Sequence, residues 1–87
     1  MATVILPRSL VVLFPGAARK VEVDASTVAD AISALDQRWP GVRDRLCERD
    51  TALREFIKVY VDGLPGELQT AVAPGSTVHI LPAVAGG

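Results

Sequence analysis

The sequence predicts an α+β domain, a mixed β-sheet with one main helix packed across one face. Three observations carry this. Segments of alternating or β-branched residues recur at Thr3–Leu6, Lys20–Asp24, Phe56–Val61 and Thr77–Leu81, the period-two pattern of half-buried strands. Between the second and third lies an apolar series, Val28, Ile32, Leu35 and Trp39, with the four-three-four spacing of an amphipathic helix. Strands interrupted by a single helix of this length give a two-layer arrangement, because the helix has one stripe and the sheet one face to bury.

Each element has a local justification. Thr3-Val4-Ile5-Leu6 is a short β-branched run that Pro7 closes, since proline has no backbone donor; Val4 and Leu6 share a face. An irregular stretch follows, ending in the turn signal Phe14-Pro15-Gly16. Lys20-Val21-Glu22-Val23-Asp24 then alternates polar and apolar residues and pairs with the first strand as a hairpin. Thr27 is placed to cap the helix and Asp30 to complement its N-terminus, while Pro40-Gly41 ends it. Val42 to Leu53 offers Val42, Leu46, Cys47 and Leu53 as core candidates and reads as a helical turn followed by a loop. Phe56-Ile57-Lys58-Val59-Tyr60-Val61 is the strongest strand, stopped by Asp62-Gly63, with Ile57, Val59 and Val61 on one side and Lys58 and Tyr60 on the other. After a link containing glycine and proline, Leu68 to Val72 forms a short strand or turn. Ala73-Pro74-Gly75-Ser76 turns the chain into the final strand, Thr77 to Leu81, with Val78 and Ile80 inward.

Composition narrows the function. The 87 residues are 49% hydrophobic and 22% charged, ordinary for one compact domain and too apolar for a disordered chain. A formal net charge of −1 and the lack of a basic run interleaved with aromatics argue against nucleic acid as a partner. Leu10-Val11-Val12-Leu13-Phe14 is far short of the roughly 20 residues that span a bilayer, and no charged leader precedes it. A cytoplasmic protein without a membrane partner is expected. One cysteine, Cys47, and one histidine, His79, leave no internal disulfide and no zinc-ligand set, so no bound metal or cofactor is expected.

The end of the sequence, Leu81-Pro82-Ala83-Val84-Ala85-Gly86-Gly87, is its most specific feature. A diglycine is the thinnest peptide that can enter a narrow channel, and by composition alone two terminal glycines occur in roughly 1 chain in 200. The residues before it are small or aliphatic, with no charge to desolvate. Pairing is expected to fade at Pro82, leaving a domain over 1–82 and a flexible tail over 83–87. Five extended residues reach roughly 17 Å, enough for Ala83, Val84, Ala85, Gly86 and Gly87 to enter a partner's active site while the body docks outside.

Val4-Ile5-Leu6-Pro7, the helix ending in an aromatic before Gly41, the Phe56–Val61 strand, Pro74-Gly75-Ser76-Thr77-Val78 and the terminal diglycine together resemble the ubiquitin-like β-grasp sulfur carriers of the MoaD/ThiS family, closest to its CysO-like branch. Trp39 departs from the commoner tyrosine. The resemblance implies a carrier rather than an enzyme. A ubiquitin-activating-type enzyme (MoeB/ThiF-like), using ATP, would adenylate the Gly87 carboxylate, and a sulfurtransferase step would make a thiocarboxylate. That group would donate sulfur to a synthase, in the CysO-like case a cysteine synthase, with a metallopeptidase releasing the product. The small subunit of molybdopterin synthase, a sulfur donor for thiamine, tRNA or a specialised metabolite, and a ubiquitin-like protein modifier remain alternatives.

No side-chain constellation competes with the tail. Ser9, Ser26, Ser33 and Ser76 lie outside any Gly-x-Ser-x-Gly elbow. Cys47 suits core filling better than a sulfur relay, and no acid or nucleophile can be set beside His79 as a general base. By alternation Ile5, Tyr60, His79 and Leu81 fall on the sheet face away from the helix, where they form a candidate partner-docking surface.

Overall fold

The computed structural model describes residues 1–48 and 52–82. Its elements in order are β1 (Ala2–Ile5), α1 (Arg8–Val11), β2 (Lys20–Val23), α2 (Val28–Arg38), α3 (Val42–Leu46), β3 (Cys47–Glu48), β4 (Ala52–Leu53), β5 (Ile57–Val61), β6 (Leu64–Gly66) and β7 (Thr77–Pro82). Five strands make a mixed sheet in the order β2-β1-β7-β5-β6, and β3 and β4 form a separate two-stranded ladder. With α2 packed on one face, this is the β-grasp arrangement that the sequence led us to expect.

The alternation reads directly onto the sheet. Ala2, Val4, Val21, Val23, Val59, Val61, Val78 and Ile80 are buried on the face that α2 covers with Val28, Ala31, Ile32 and Leu35. The last strand holds the assembly together. β7 pairs in parallel with β1 from Thr3–Thr77 to Ile5–His79, and antiparallel with β5 from Val61–Val78 to Ile57–Pro82. Val78 and Ile80 on it are 0% exposed. Pairing extends through Pro82, whose carbonyl can still accept although it has no N–H to donate. The expected tail, residues 83–87, lies outside the described residues.

Helix α2 begins as the sequence indicates. The Thr27 hydroxyl accepts from the Asp30 N–H at 3.1 Å, and the Asp30 carboxylate accepts in return from the Ser26 N–H at 3.2 Å, so two otherwise orphaned donors are satisfied. At the other end Trp39 leaves the helical conformation as the C-cap. It is only partly buried, and the Arg38 guanidinium lies 4.7 Å from its ring centroid. Gly41, at φ 104°, turns the chain into α3. One Asp36 carboxylate oxygen accepts from both the Gly41 and Arg43 N–H groups at 3.1 Å, capping that short helix.

Three segments depart from the sequence reading, and a fourth adds detail to it. The stretch after β1 contains α1, whose Leu10 is buried; four residues are too few to display a helical period. The link after β5 contains a strand, β6. Asp62 (φ 51°) and Gly63 (φ 87°) both take the left-handed conformation of a two-residue hairpin turn, and Pro65 is tolerated because β6 is an edge strand. Leu68 to Val72 contains the expected turn, closed by Thr70 N–H to Glu67 O at 3.1 Å. Its backbone meets the start of α2 through Ala29 N–H to Leu68 O at 2.8 Å and Val72 N–H to Ser26 O at 2.9 Å, with one bridge between Thr27 and Ala71. Finally, α3 leads into the β3–β4 ladder rather than a plain loop, with Cys47 paired to Leu53 and buried in the core.

The start of β7 is tied to the β5–β6 turn by Asp62. Its carboxylate accepts from the Thr77 N–H at 2.9 Å and from the Ser76 hydroxyl at 2.8 Å, and these bonds, the backbone one foremost, hold its pKa below the ordinary carboxylate value. Two measurements follow. Thr27→Ala should cost about 1 kcal/mol in denaturant unfolding. Asp62→Asn preserves a residue tolerant of the left-handed turn and should lower Tm at neutral pH. Because the folded-state pKa is depressed, the stabilisation is complete above the unfolded value and fades as pH falls through the folded one; the Tm gap between wild type and Asp62→Asn should therefore close in acid.

Candidate functional site: the open sheet face and the end of β7

The helix-free face of the sheet is built from the alternate residues of the same strands. Register sets Lys20 opposite Ile5, Ile5 opposite His79, His79 opposite Tyr60 and Tyr60 opposite Pro65. One continuous row thus crosses all five strands. On the next open-face row toward the C-terminal end, Leu81 stands opposite Lys58. Ile5 and Tyr60 are half-buried, His79 is exposed and Leu81 is 37% exposed. The structure therefore gathers Ile5, Tyr60, His79 and Leu81 on one surface; Gly87 and the rest of 83–87 lie outside the described residues.

The end of β7 is asymmetric. The last rung of β1 on β7 is Ile5–His79, whereas β5 accompanies β7 to Pro82. Leu81 and Pro82 thus run beyond the β1 ladder with β5 on one side only. Pro82, paired with Ile57, stands at the end of the sheet where β5 begins and where the connection from β1 to β2 leaves.

The side chains here do not assemble a catalyst. His79 has Ile5 and Tyr60 as its cross-strand neighbours, and neither supplies a carboxylate to orient the imidazole as a general base. Ser76 accepts from the Ala73 N–H at 3.2 Å and donates to Asp62, and Ser33 accepts from the Arg43 guanidinium at 3.4 Å; both hydroxyls serve local structure. Cys47 is 4% exposed and cannot meet a partner's sulfur without local unfolding. Among the described residues no three His, Cys, Asp or Glu side chains come together as a metal site, and no helix is long and apolar enough to cross a membrane. A concavity of about 540 Å³ lies on the outer side of β5, between Leu53, Ile57, Tyr60 and Pro65, with Arg54 and Glu67 at its margin. Its mixed lining selects no ligand chemistry.

Three exposed apolar side chains fall outside the docking set read from the sequence. The sequence reading starts the strand at Phe56, whereas β5 begins at Ile57 and Phe56 is 58% exposed. Val12 and Leu13, read only as part of an apolar run, are 73% and 48% exposed. The Phe14-Pro15-Gly16 turn located their loop; which of five consecutive apolar residues would face outward depended on α1.

Comparison with known proteins agrees with this geometry. The profile of the ThiS family matches residues 12–87. The sulfur carrier protein CysO of Mycobacterium tuberculosis (strain ATCC 25618 / H37Rv) is 36% identical over 78 residues, covering 83% of this chain and 84% of that protein. Among solved structures, the Amycolatopsis orientalis BexX/CysO complex contains a chain with a TM-score of 0.87 and 35% identity, each chain covered completely. The crystal structure of Mycobacterium tuberculosis CysO gives 0.84 and 31%, covering 97% of this chain and 100% of that one. Small archaeal modifier protein 1 of H. volcanii gives 0.74 and 30%, covering 95% and 97%. A family profile over most of the length, relatives named as sulfur carrier proteins and the same fold built around a central final strand place this chain in the ThiS family, within the ThiS/MoaD group of ubiquitin-like sulfur carriers.

Proposed function

We propose that this protein carries sulfur on its C-terminal carboxylate. A MoeB/ThiF-like adenylating enzyme would use ATP to convert the Gly87 carboxylate to an acyl-adenylate, expelling pyrophosphate. A sulfur donor would then displace AMP to give the thiocarboxylate. The observation that carries this reading is the sequence match to sulfur carriers through Gly87, in a chain whose described side chains form no catalytic centre. The protein is a substrate; its reactive group is backbone, and its body supplies recognition.

Cysteine synthesis is the acceptor pathway we favour, because the relatives reported above include CysO proteins. In that case the thiocarboxylate sulfur attacks an activated serine derivative on a synthase, the acyl group shifts from sulfur to nitrogen, and a metallopeptidase frees cysteine from Gly87. The complex of BexX with CysO supports docking of such a carrier body on a partner protein. The likeness to small archaeal modifier protein 1 favours a second reading, isopeptide formation with protein lysines through the same adenylate.

Intact-protein mass spectrometry tests the first reading. Incubation with the adenylating enzyme, ATP and a sulfur donor should produce the oxygen-to-sulfur mass change, confined by fragmentation to Gly87 and lost when Gly87 is deleted. Sulfur transfer that persisted without Gly87 would overturn it. Gly87-dependent conjugates of higher mass on denaturing gels would establish the modifier role. On the docking face, Leu81→Asp and Tyr60→Ala should each reduce kcat/KM for adenylation by about tenfold or more while circular dichroism stays unchanged, the scale of losing one interface anchor.

A further inference from the structure

The five-stranded sheet has β6 at one edge and β2 at the other, and the two edges differ. An edge strand is a row of backbone donors and acceptors open to a further strand unless something blunts it. Across the two-residue Asp62-Gly63 turn, Val61–Leu64 is the closing pair, and hydrogen-bonded pairs alternate with non-bonded ones along an antiparallel ladder. Tyr60–Pro65 is therefore a non-bonded pair, and residue 65 turns its backbone to the free edge. As a proline it has no N–H to offer there. The next donor along, the Glu67 N–H, is taken by the Thr70 hydroxyl at 2.8 Å. That edge is closed.

Nothing comparable blocks β2. Leu6 N–H donates to Arg19 O at 2.7 Å, so the same alternation makes Val4–Val21 and Ala2–Val23 the bonded pairs. The N–H and C=O groups of Lys20 and Glu22 then point away from β1. Among the described residues no hydrogen bond from outside β1 reaches them. Both side chains are exposed, while Val21 and Val23 are buried. On the open face the Thr3 hydroxyl donates to one Glu22 carboxylate oxygen at 2.8 Å, which holds the carboxylate in place and leaves its second oxygen to accept.

Charge on an edge can itself deter pairing, but Lys20-Val21-Glu22 is self-complementary. Two copies set antiparallel about Val21 bring Lys20 opposite the second copy's Glu22 at both ends of the seam, and opposite charges in such cross-strand pairs attract. Moving the axis to Lys20 or to Glu22 sets like charges face to face. A shift of half that step faces the free groups with groups already used by β1.

We propose that β2 is a self-pairing edge, on which a second copy of this chain adds its own β2 antiparallel with Val21 at the two-fold axis. Charge complementarity selects the occupant, and Lys20 and Glu22 exchange both backbone hydrogen bonds with their counterparts. The contact is isologous, as closed dimers require. It joins two sheets into one, with both copies of α2 on the same face. Because β7 lies two strands in from the seam, its open face stays uncovered, and the two β7 strands finish at opposite ends of the joined sheet. A seam this short belongs with weak, transient interfaces. The pairing is independent of the function proposed above.

Sedimentation equilibrium of the full chain, from micromolar to millimolar concentration, should show monomer and dimer in exchange. Lys20→Glu and Glu22→Lys should each raise the dissociation constant about tenfold or more, since each sets like charges opposite one another at both ends of the seam, with circular dichroism unchanged. An equimolar mixture of the two variants should form a heterodimer about as well as wild type pairs with itself, and the double variant, which exchanges the charges, should dimerise again. In amide hydrogen exchange, Lys20 and Glu22 should gain protection as concentration rises, while Val21 and Val23, already bonded to β1, should not change. A dimer indifferent to both charge reversals, or variants that stay apart when mixed, would overturn the pairing. So would a chain monomeric at every concentration, which would leave this edge to a strand of another protein.

Discussion

The fold depends on where β7 lies. It is the last strand in sequence and the middle strand of the sheet, joined to β1 on one side and to β5 on the other, with Val78 and Ile80 fully buried against the helix layer. Without it the β1–β2 hairpin and the β5–β6 hairpin share no ladder. Loop-closure entropy is lost before these long-range pairs form, so the sheet's central contacts are those that the chain must travel farthest to make. The bonds from Asp62 to Ser76 and Thr77 anchor the strand at its entrance.

That constraint connects the core to the proposed chemistry. Side chains alternate along β7, with Val78 and Ile80 in the core and His79 and Leu81 on the open face. The same strand binds the two halves of the body and contributes to the surface a partner would meet. A disruption of the inner positions would loosen the platform; one at the outer positions would alter recognition while leaving the platform intact. Separating the two roles onto alternate residues lets one strand of a small domain both hold the core and shape the open face.

Much of this was legible because it rests on periodicity. The spacing of Val28, Ile32 and Leu35 and the alternation in Lys20–Val23, Ile57–Val61 and Thr77–Ile80 correspond to buried and exposed faces in the structure, and Thr27 caps the helix it was expected to cap. The open-face grouping of Ile5, Tyr60, His79 and Leu81 followed from the same alternation. What escaped was too short to show a period: α1 with four residues, β6 with three, and the two-residue strands β3 and β4. Asp62-Gly63 read as a turn and the stretch after it as a link containing glycine and proline; that Pro65 is tolerated in an edge strand becomes visible only with the sheet order. Phe56, Val12 and Leu13 were obscured for a related reason. Apolar residues beside a strand or inside an apolar run read as core until the turn that projects them is known.

The parallel pairing of β1 with β7 has a practical side. Had these strands been antiparallel, Met1 would lie beside the exit of the C-terminal residues. Running in the same direction, they set Met1 next to Gly75, whose N–H donates to the Met1 carbonyl at 2.8 Å, at the entrance of β7 rather than its exit. An affinity handle, a fluorophore or an attachment to a solid support placed ahead of Met1 therefore projects from the far side of the domain. The fold offers a point of immobilisation that leaves the opposite end free to approach an enzyme.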